Sequence, residues 1–246
     1  MIGRFRFGDE VFTGTVEGER VVVERGMYCD TYTLDELEVL PPVTPSKIVC
    51  VGLNYIDHAR ELEMKLPGHP IIFLKPPSAI IGHSDMIVYP PESQHVDYEA
   101  ELAVVIGKRC RNVSAMQAGD VILGYTCFND VTARDIQKAD GQWTRAKSFD
   151  TFAPLGPFVV RAESVDISTA YIRSRVNGQL RQDSSVNNMI FDIPALIEFI
   201  SHIMTLEKGD VIATGTPAGV GQLYPGDTVE IEIENVGTLK NEVVKP

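Results

Sequence analysis

A chain of 246 residues with 44% apolar and 23% charged residues has ordinary globular composition and is long enough to bury a large core. Its 34 acids against 22 basic residues give a formal charge of −12, which argues against nucleic acid or an anionic membrane surface as the main partner and favours a small molecule. No apolar run reaches the roughly 18 to 20 residues of a membrane span, and Met1 to Phe7 lack the apolar core of a signal peptide, so a cytoplasmic location is expected.

The chain opens with short alternating runs at 5–8, 11–16 and 20–24, separated by glycine-containing turns, which predict a small β meander. Thr33 followed by Glu36 fits a capping box for a short helix ending near Leu40, and Pro41-Pro42-Val43-Thr44-Pro45 makes a stiff linker. The domain boundary falls there, dividing a small N-terminal domain, 1–45, from a main domain, 46–246. Residues 47–51 read as a strand running through Gly52 into a helix over 54–65, with Asn54 or Asp57 as its cap and Pro67-Gly68 as its stop. His58 and Glu61 lie three apart on one face of that helix. Such a pair is a casual contact on most exposed helices, yet a carboxylate holding an imidazole also makes His a general base. Residues 70–78 read as an apolar strand ending in Lys75, taken as a surface residue, and 86–89 as another short strand.

The segment 96–107 sets two acids inside what otherwise reads as one buried strand. Alternation puts Glu99 and Glu101 on one face with Ala103 and Val105. Two carboxylates about 6 to 7 Å apart repel by roughly 2 to 3 kcal/mol at an effective dielectric near 20, and burial adds desolvation. A divalent cation would remove both costs; an exposed strand end with solvated acids is the alternative, and a third ligand would decide between them. Asp130, just after the apolar run 121–128, is the candidate, with N-cap of a helix over 133–139 as its other open role.

The loop 141–150 carries the one Trp of the chain and Lys147, which reads in isolation as an exposed lysine. Strands are expected at 157–161 and 171–176, the latter turning at Asn177-Gly178 into 179–182. Positions 193, 196, 197, 200, 203 and 204 fall at helical spacing and predict a core-facing stripe, with Pro194 in the first turn and His202 at the surface. A strand at 210–213 enters the glycine-rich run 214–221, and 228–233 pairs with 238–244. That run lacks the GK[ST] ending of a nucleotide loop and no helix follows it, although its backbone N–H groups could meet a small anion. Cys29, Cys50, Cys110 and Cys127 have neither disulfide nor zinc spacing and read as reduced core thiols. Short strands with few helices predict a mixed, β-rich α+β domain.

Five motifs in order, Val51-Gly52-Leu53-Asn54-Tyr55, Asp97-Tyr98-Glu99-Ala100-Glu101, residues 129–135 (NDVTARD), residues 146–150 (AKSFD) and Thr214-Gly215-Thr216-Pro217, resemble the fumarylacetoacetate hydrolase family over roughly residues 46–246. The resemblance implies a mixed β-sandwich roll preceded by a small N-terminal β domain, usually as a homodimer. It implies Glu99, Glu101 and Asp130 as ligands of Mg²⁺, with Mn²⁺ or Ca²⁺ as substitutes, in keeping with hard oxygen ligands. His58 and Glu61 match the family's catalytic pair on a lid-like segment, and Gln137, Lys147 and Thr216 match positions that contact a 2-oxo acid; Lys147 would also neutralise developing charge.

The chemistry so implied is stabilisation of an enolate by the metal. Hydrolysis of a C–C bond in an acylpyruvate-like 1,3-diketo acid comes first, because the His58–Glu61 pair supplies a base that simple decarboxylation does not need. Decarboxylation or isomerisation of a 2-oxo or 2-hydroxydienoate dicarboxylic acid, as in aromatic catabolism, is the alternative. A catalytically idle 2-oxo acid binding protein is a third reading.

Overall fold

In the computed structural model, which describes residues 1–246, strand Ala100–Ile106 lies inside a twelve-stranded sheet and is buried on both faces. Leu102, Val104 and Ile106 enter a cluster of 39 buried residues shared with Ile172, Val229, Ile231, Ile233 and Leu239 of a five-stranded sheet. Ala103 joins a second cluster with Ile48, Phe128, Leu155, Val211 and Ala213. Burying each large aliphatic side chain contributes about 1.5 to 3 kcal/mol, so the first cluster holds the two sheets together.

Ten strands of the large sheet run in the order Tyr28–Thr33, Arg20–Arg25, Glu10–Glu17, Ile2–Phe7, Ala153–Arg161, Ile122–Asn129, Ala100–Ile106, Val211–Ala213, Ile48–Gly52, Ile71–Lys75, and Glu38–Leu40 and Ile80–Ile81 pair off this path with Ile2–Phe7 and Ala153–Arg161. Most of its pairs are antiparallel, but Val211–Ala213 lies parallel to Ile48–Gly52. The β-rich, mixed architecture expected from the short strands is therefore present. Residues 2–33 form the expected meander with a cluster of its own around Phe5, Val16, Val21, Val23 and Leu37, and Ile2 pairs with Val159. No helix is long and apolar enough to cross a membrane.

Several elements differ from the sequence expectation for local reasons. The segment 96–107 is two strands: Val96–Tyr98 pairs with Thr132–Ala133 and Gly221–Leu223 in a three-stranded sheet, and Ala100–Ile106 stays in the large one. At the switch, side chains accept the ladder bonds: Asn129 Oδ1 takes Glu99 N and Gln182 Oε1 takes Ala100 N, both at 3.0 Å. The helix expected over 54–65 spans only Ile56–Glu61, and neither Asn54 nor Asp57 caps it. Buried Asn54 instead bonds Thr214 O, Phe191 O and Phe191 N, which fixes it outside the helix and holds Leu53 before it at φ 45°, a left-handed conformation costly for leucine. The Thr33–Glu36 capping box forms, but it opens a single 3-10 turn, because Glu38–Leu40 pairs with Ile2–Phe7.

In the helix Ile193–Ile203 the stripe Ile193, Leu196, Ile197 and Ile200 is buried while Ile203 is half exposed, since the helix ends there; His202 is exposed as expected. Cys50 and Cys127 are buried thiols, whereas Cys29 lies exposed on the edge strand Tyr28–Thr33 rather than in the core.

Candidate active site

The strand switch at Glu99 makes the site. Glu99 stands in the break between two sheets, Glu101 at the second position of Ala100–Ile106, and Asp130 just past Ile122–Asn129, with its N–H bonded to Glu99 O at 2.9 Å. All three are buried, and one oxygen from each lies within 4.8 Å of the others. Asp130 is not a helix cap: the helix begins at Arg134 behind Ala133.

Cations surround this trio. Lys147 Nζ donates to Glu99 Oε2 at 2.9 Å and to Asp130 Oδ2 at 2.6 Å; the lysine is 2% exposed, so it is no surface residue. Lys75, at the end of its strand, is likewise buried; its Nζ donates to Asp130 Oδ1 and, at 2.9 Å, to Val131 O. Arg134 bridges Asp97 Oδ2 at 2.8 Å and Glu99 Oε1 at 2.5 Å. Burial works against the charged form of Glu99, but Lys147 and Arg134 together hold its carboxyl down at about 2. Burial likewise opposes charge on Lys147, yet Asp130 and Glu99 raise it, while in Lys75 burial prevails over Asp130 and lowers it.

Glu101 is different. It receives Gly215 N at 2.9 Å, and burial, Asp130 and Glu99 push its carboxyl well above the usual carboxylate range. An oxygen-only donor set with one acid so strained fits a hard divalent cation, which would be held by Glu99, Glu101 and Asp130.

The other expected residues converge on the same place. A cavity of about 220 Å³ is lined by His58, Glu99, Glu101, Asp130, Gln137, Lys147 and Thr216, with Arg134 beside them and Leu53, Leu62, Met64, Ile71, Phe73 and Trp143 on its apolar side. Gly52 gives Trp143 its place, since a Cβ there would lie 2.7 Å from the indole. His58 Nδ1 donates to Glu61 Oε2 at 2.9 Å, which leaves Nε2 as the basic nitrogen. Gln137 Oε1 accepts from Arg134 at 2.7 Å and Thr216 Oγ1 accepts from Gln182 at 2.7 Å, so the amide NH₂ and the hydroxyl proton stay available to donate.

The glycine-rich run supplies backbone N–H groups to anions, as its sequence allowed, and the anions are the chain's own: Glu101 at Gly215 and Glu61 at Gly219. Sequence reasoning missed Lys75, Arg134 and Asp97 as parts of the site. Lys75 closes the uninterrupted apolar run 70–74, which gave no signal of the face it takes; the other two needed the three-stranded sheet.

The profile described as Fumarylacetoacetate (FAA) hydrolase C-terminal matches residues 47–244. The chain belongs to the fumarylacetoacetate hydrolase family. Among relatives in this family, a mitochondrial oxaloacetate tautomerase of Bos taurus is 48% identical over 236 residues, 91% of this chain and 75% of its own. The crystal structure of a 2-hydroxyhepta-2,4-diene-1,7-dioate isomerase from Mycobacterium marinum shares 45% identity and a TM-score of 0.90, covering 99% of this chain and 98% of that one. The fold is shared also with a maleylpyruvate hydrolase from Sphingobium sp. SYK-6, solved in complex with manganese(II) ion and pyruvate, at 32% identity and a TM-score of 0.84 over 99% and 98% of the two chains. Fumarylacetoacetate hydrolase family members thus include isomerases, tautomerases and hydrolases of small acids.

Proposed function

We propose that this chain is a divalent-cation-dependent enzyme that moves a proton at the carbon beside the carbonyl of a small 2-oxo acid, as a tautomerase or isomerase of a 2-oxo or 2-hydroxydienoate dicarboxylic acid. The observation that carries this reading is that His58, its Nδ1 engaged by Glu61, opens onto the same cavity as the three carboxylates. When bound by Glu99, Glu101 and Asp130, Mg²⁺, Mn²⁺ or Ca²⁺ would supply Lewis-acid attraction for the oxygens of the acid. The amide of Gln137 and the hydroxyl of Thr216 donate to its carboxylate, and Lys147 contributes a fixed positive charge beside the oxygen on which negative charge builds. His58 Nε2 then takes the proton from one carbon and returns it to another atom of the same conjugated system, with Glu61 stabilising the imidazolium in between. The relatives at 45 to 48% identity that carry tautomerase and isomerase names support this version. Decarboxylation of such an acid would use the same cavity without the base.

Hydrolysis of an acylpyruvate-like acid is the second reading, and the His58–Glu61 pair serves it equally. His58 takes a proton from water, the oxygen bonds to the distal carbonyl, the C–C bond breaks with its electron pair left on the pyruvate fragment, and the proton returns to that carbon. The maleylpyruvate hydrolase holding manganese and pyruvate favours it. Both readings take the protein as a cytoplasmic homodimer with residues 1–45 as a separate small domain.

The deciding experiment uses EDTA-stripped protein with and without added Mg²⁺, following enol absorbance with oxaloacetate and pyruvate release from acetylpyruvate. Mg²⁺-dependent loss of the oxaloacetate enol without acetylpyruvate cleavage supports proton transfer; cleavage at comparable rate supports hydrolysis. No Mg²⁺-dependent change in either sinks both, and leaves a 2-oxo acid binding protein.

A further inference from the structure

We infer that Tyr98 is a positioning residue for the His58–Glu61 pair and acts through the backbone of Gly219. The inference rests on the proton-transfer role given to His58 above.

The pair sits on a helix of six residues, too short to fix its own ends by internal hydrogen bonds. Its start is pinned from outside: Asn54 bonds Thr214 and Phe191, and Asp57 Oδ2 accepts from Ser184 Oγ at 2.5 Å. At its end the hydrogen bond to the rest of the chain is made by Glu61, whose Oε1 accepts from Gly219 N at 3.0 Å. Gly219 is in turn held by its other polar group, since Gly219 O accepts from Tyr98 Oη at 2.9 Å. Three bonds in series therefore connect Tyr98 to the imidazole, the last being His58 Nδ1 to Glu61 Oε2 at 2.9 Å.

What makes this series a positioning device is where each end is rooted. Tyr98 is buried and adjoins Glu99, so the hydroxyl refers the base to the backbone that carries a carboxylate of the trio. Gly219 has φ +95°, and a Cβ there would lie 2.4 Å from Arg181 O, so the turn takes up this shape only with glycine at that point. The same turn holds Glu101 through Gly215 N. A displacement of the turn by a fraction of an ångström thus moves Glu61 relative to the acids, and misplacement on that scale lowers rate without changing what binds. The competing explanation is that a buried tyrosine hydroxyl simply needs an acceptor and Gly219 O provides one. Under that explanation, loss of the hydroxyl changes stability and is indifferent to His58.

The test is a double-mutant cycle on the Mg²⁺-loaded protein, measuring kcat and KM for the oxaloacetate enol at 25 °C, with Mg²⁺ affinity by calorimetry. Tyr98→Phe keeps the ring in its packing and removes only the hydroxyl. It is expected to lower kcat about tenfold with KM and Mg²⁺ affinity within about twofold of the parent, and to cause no further loss in a His58→Ala background. Replacing Tyr98 by 3-fluorotyrosine, which keeps the bond, restores the rate. Equal losses in both backgrounds, or none in the parent, overturn the inference while leaving the base assignment intact. An unchanged rate in His58→Ala alone defeats the base assignment, and the inference with it. A readout independent of turnover is exchange of the His58 Nδ1 proton by NMR: Tyr98→Phe is expected to speed it several-fold, and unaltered exchange overturns the inference even if no substrate is turned over.

Discussion

Lys75 and Asp130, 55 positions apart in the chain, meet as a fully buried ion pair, and Asp130 takes Lys147 on its other oxygen. Removing Lys75 therefore leaves a buried carboxylate short of one cation and strips Val131 O of its donor. Lys75→Met is expected to destabilise the protein by about 3 kcal/mol in EDTA, measured by urea unfolding. Added Mg²⁺ should recover more stability in this variant than in the parent; equal recovery would separate Lys75 from the metal site.

Glu101 carries the clearest expectation about the cation. Burial, Asp130 and Glu99 all disfavour its charge and raise its carboxyl, so a bound cation favours loss of a proton from it. Calorimetric titration of Mg²⁺ in buffers of different ionisation enthalpy is expected to show net proton release. Glu101→Gln should abolish that release and weaken affinity at least tenfold, and unchanged affinity removes Glu101 from the ligand set.

For the base, His58→Ala is expected to reduce turnover by about a hundredfold or more, the usual scale of general base catalysis, with Mg²⁺ affinity unaltered. Glu61→Gln should fall between that variant and the parent. A glutamine oxygen still accepts from Gly219 N, so the helix should stay anchored, with amide exchange over 56–61 close to the parent's, and the loss should come from the missing charge beside the imidazolium.

Asp210 gives a pH prediction away from the site. Burial alone would raise its carboxyl, but Lys47 Nζ, Glu207 N at 2.8 Å and Ser46 Oγ at 2.7 Å overcome this and lower it. A folded value below the unfolded one means the stabilisation is fully present above the ordinary carboxylate range and is lost as pH falls through the folded value. The difference in urea midpoint between the parent and Asp210→Asn should be largest near neutrality and shrink below about pH 4. A constant difference down to pH 3 contradicts this.

Much of the site was legible because its residues break the local pattern of their segments. Glu99 and Glu101 interrupt a buried apolar run, and His58 and Glu61 have a spacing at which side chains touch; the structure brings Glu99, Glu101 and His58 to one cavity, with Glu61 bonded to His58 behind it. What was not legible depends on pairings between distant segments. Nothing local in 96–107 says that the strand changes sheets at Glu99, since the cause is the side chains of Asn129 and Gln182. Lys147 looked like any loop lysine because its two carboxylate partners lie 17 and 48 positions away. The short helix at 56–61 was overestimated for the same reason: Asn54 caps well in isolation, and here it is committed to Thr214 and Phe191.

The contacts Asp97–Arg134–Glu99–Lys147–Asp130–Lys75 form an unbranched series of acid and base in strict alternation, whose formal charges sum to zero. Glu101 stands outside that sum, so the valence of the enclosed region is set by it alone. Once ionised it brings the count to −1, a divalent cation to +1, and a singly charged 2-oxo acid to neutrality. A doubly charged acid such as oxaloacetate overshoots by one, and its second carboxylate must stay toward water rather than among the buried charges. A trivalent lanthanide in place of Mg²⁺ would shift that parity by one, and inhibition by oxalate relative to pyruvate would register it as a preference for the dianion.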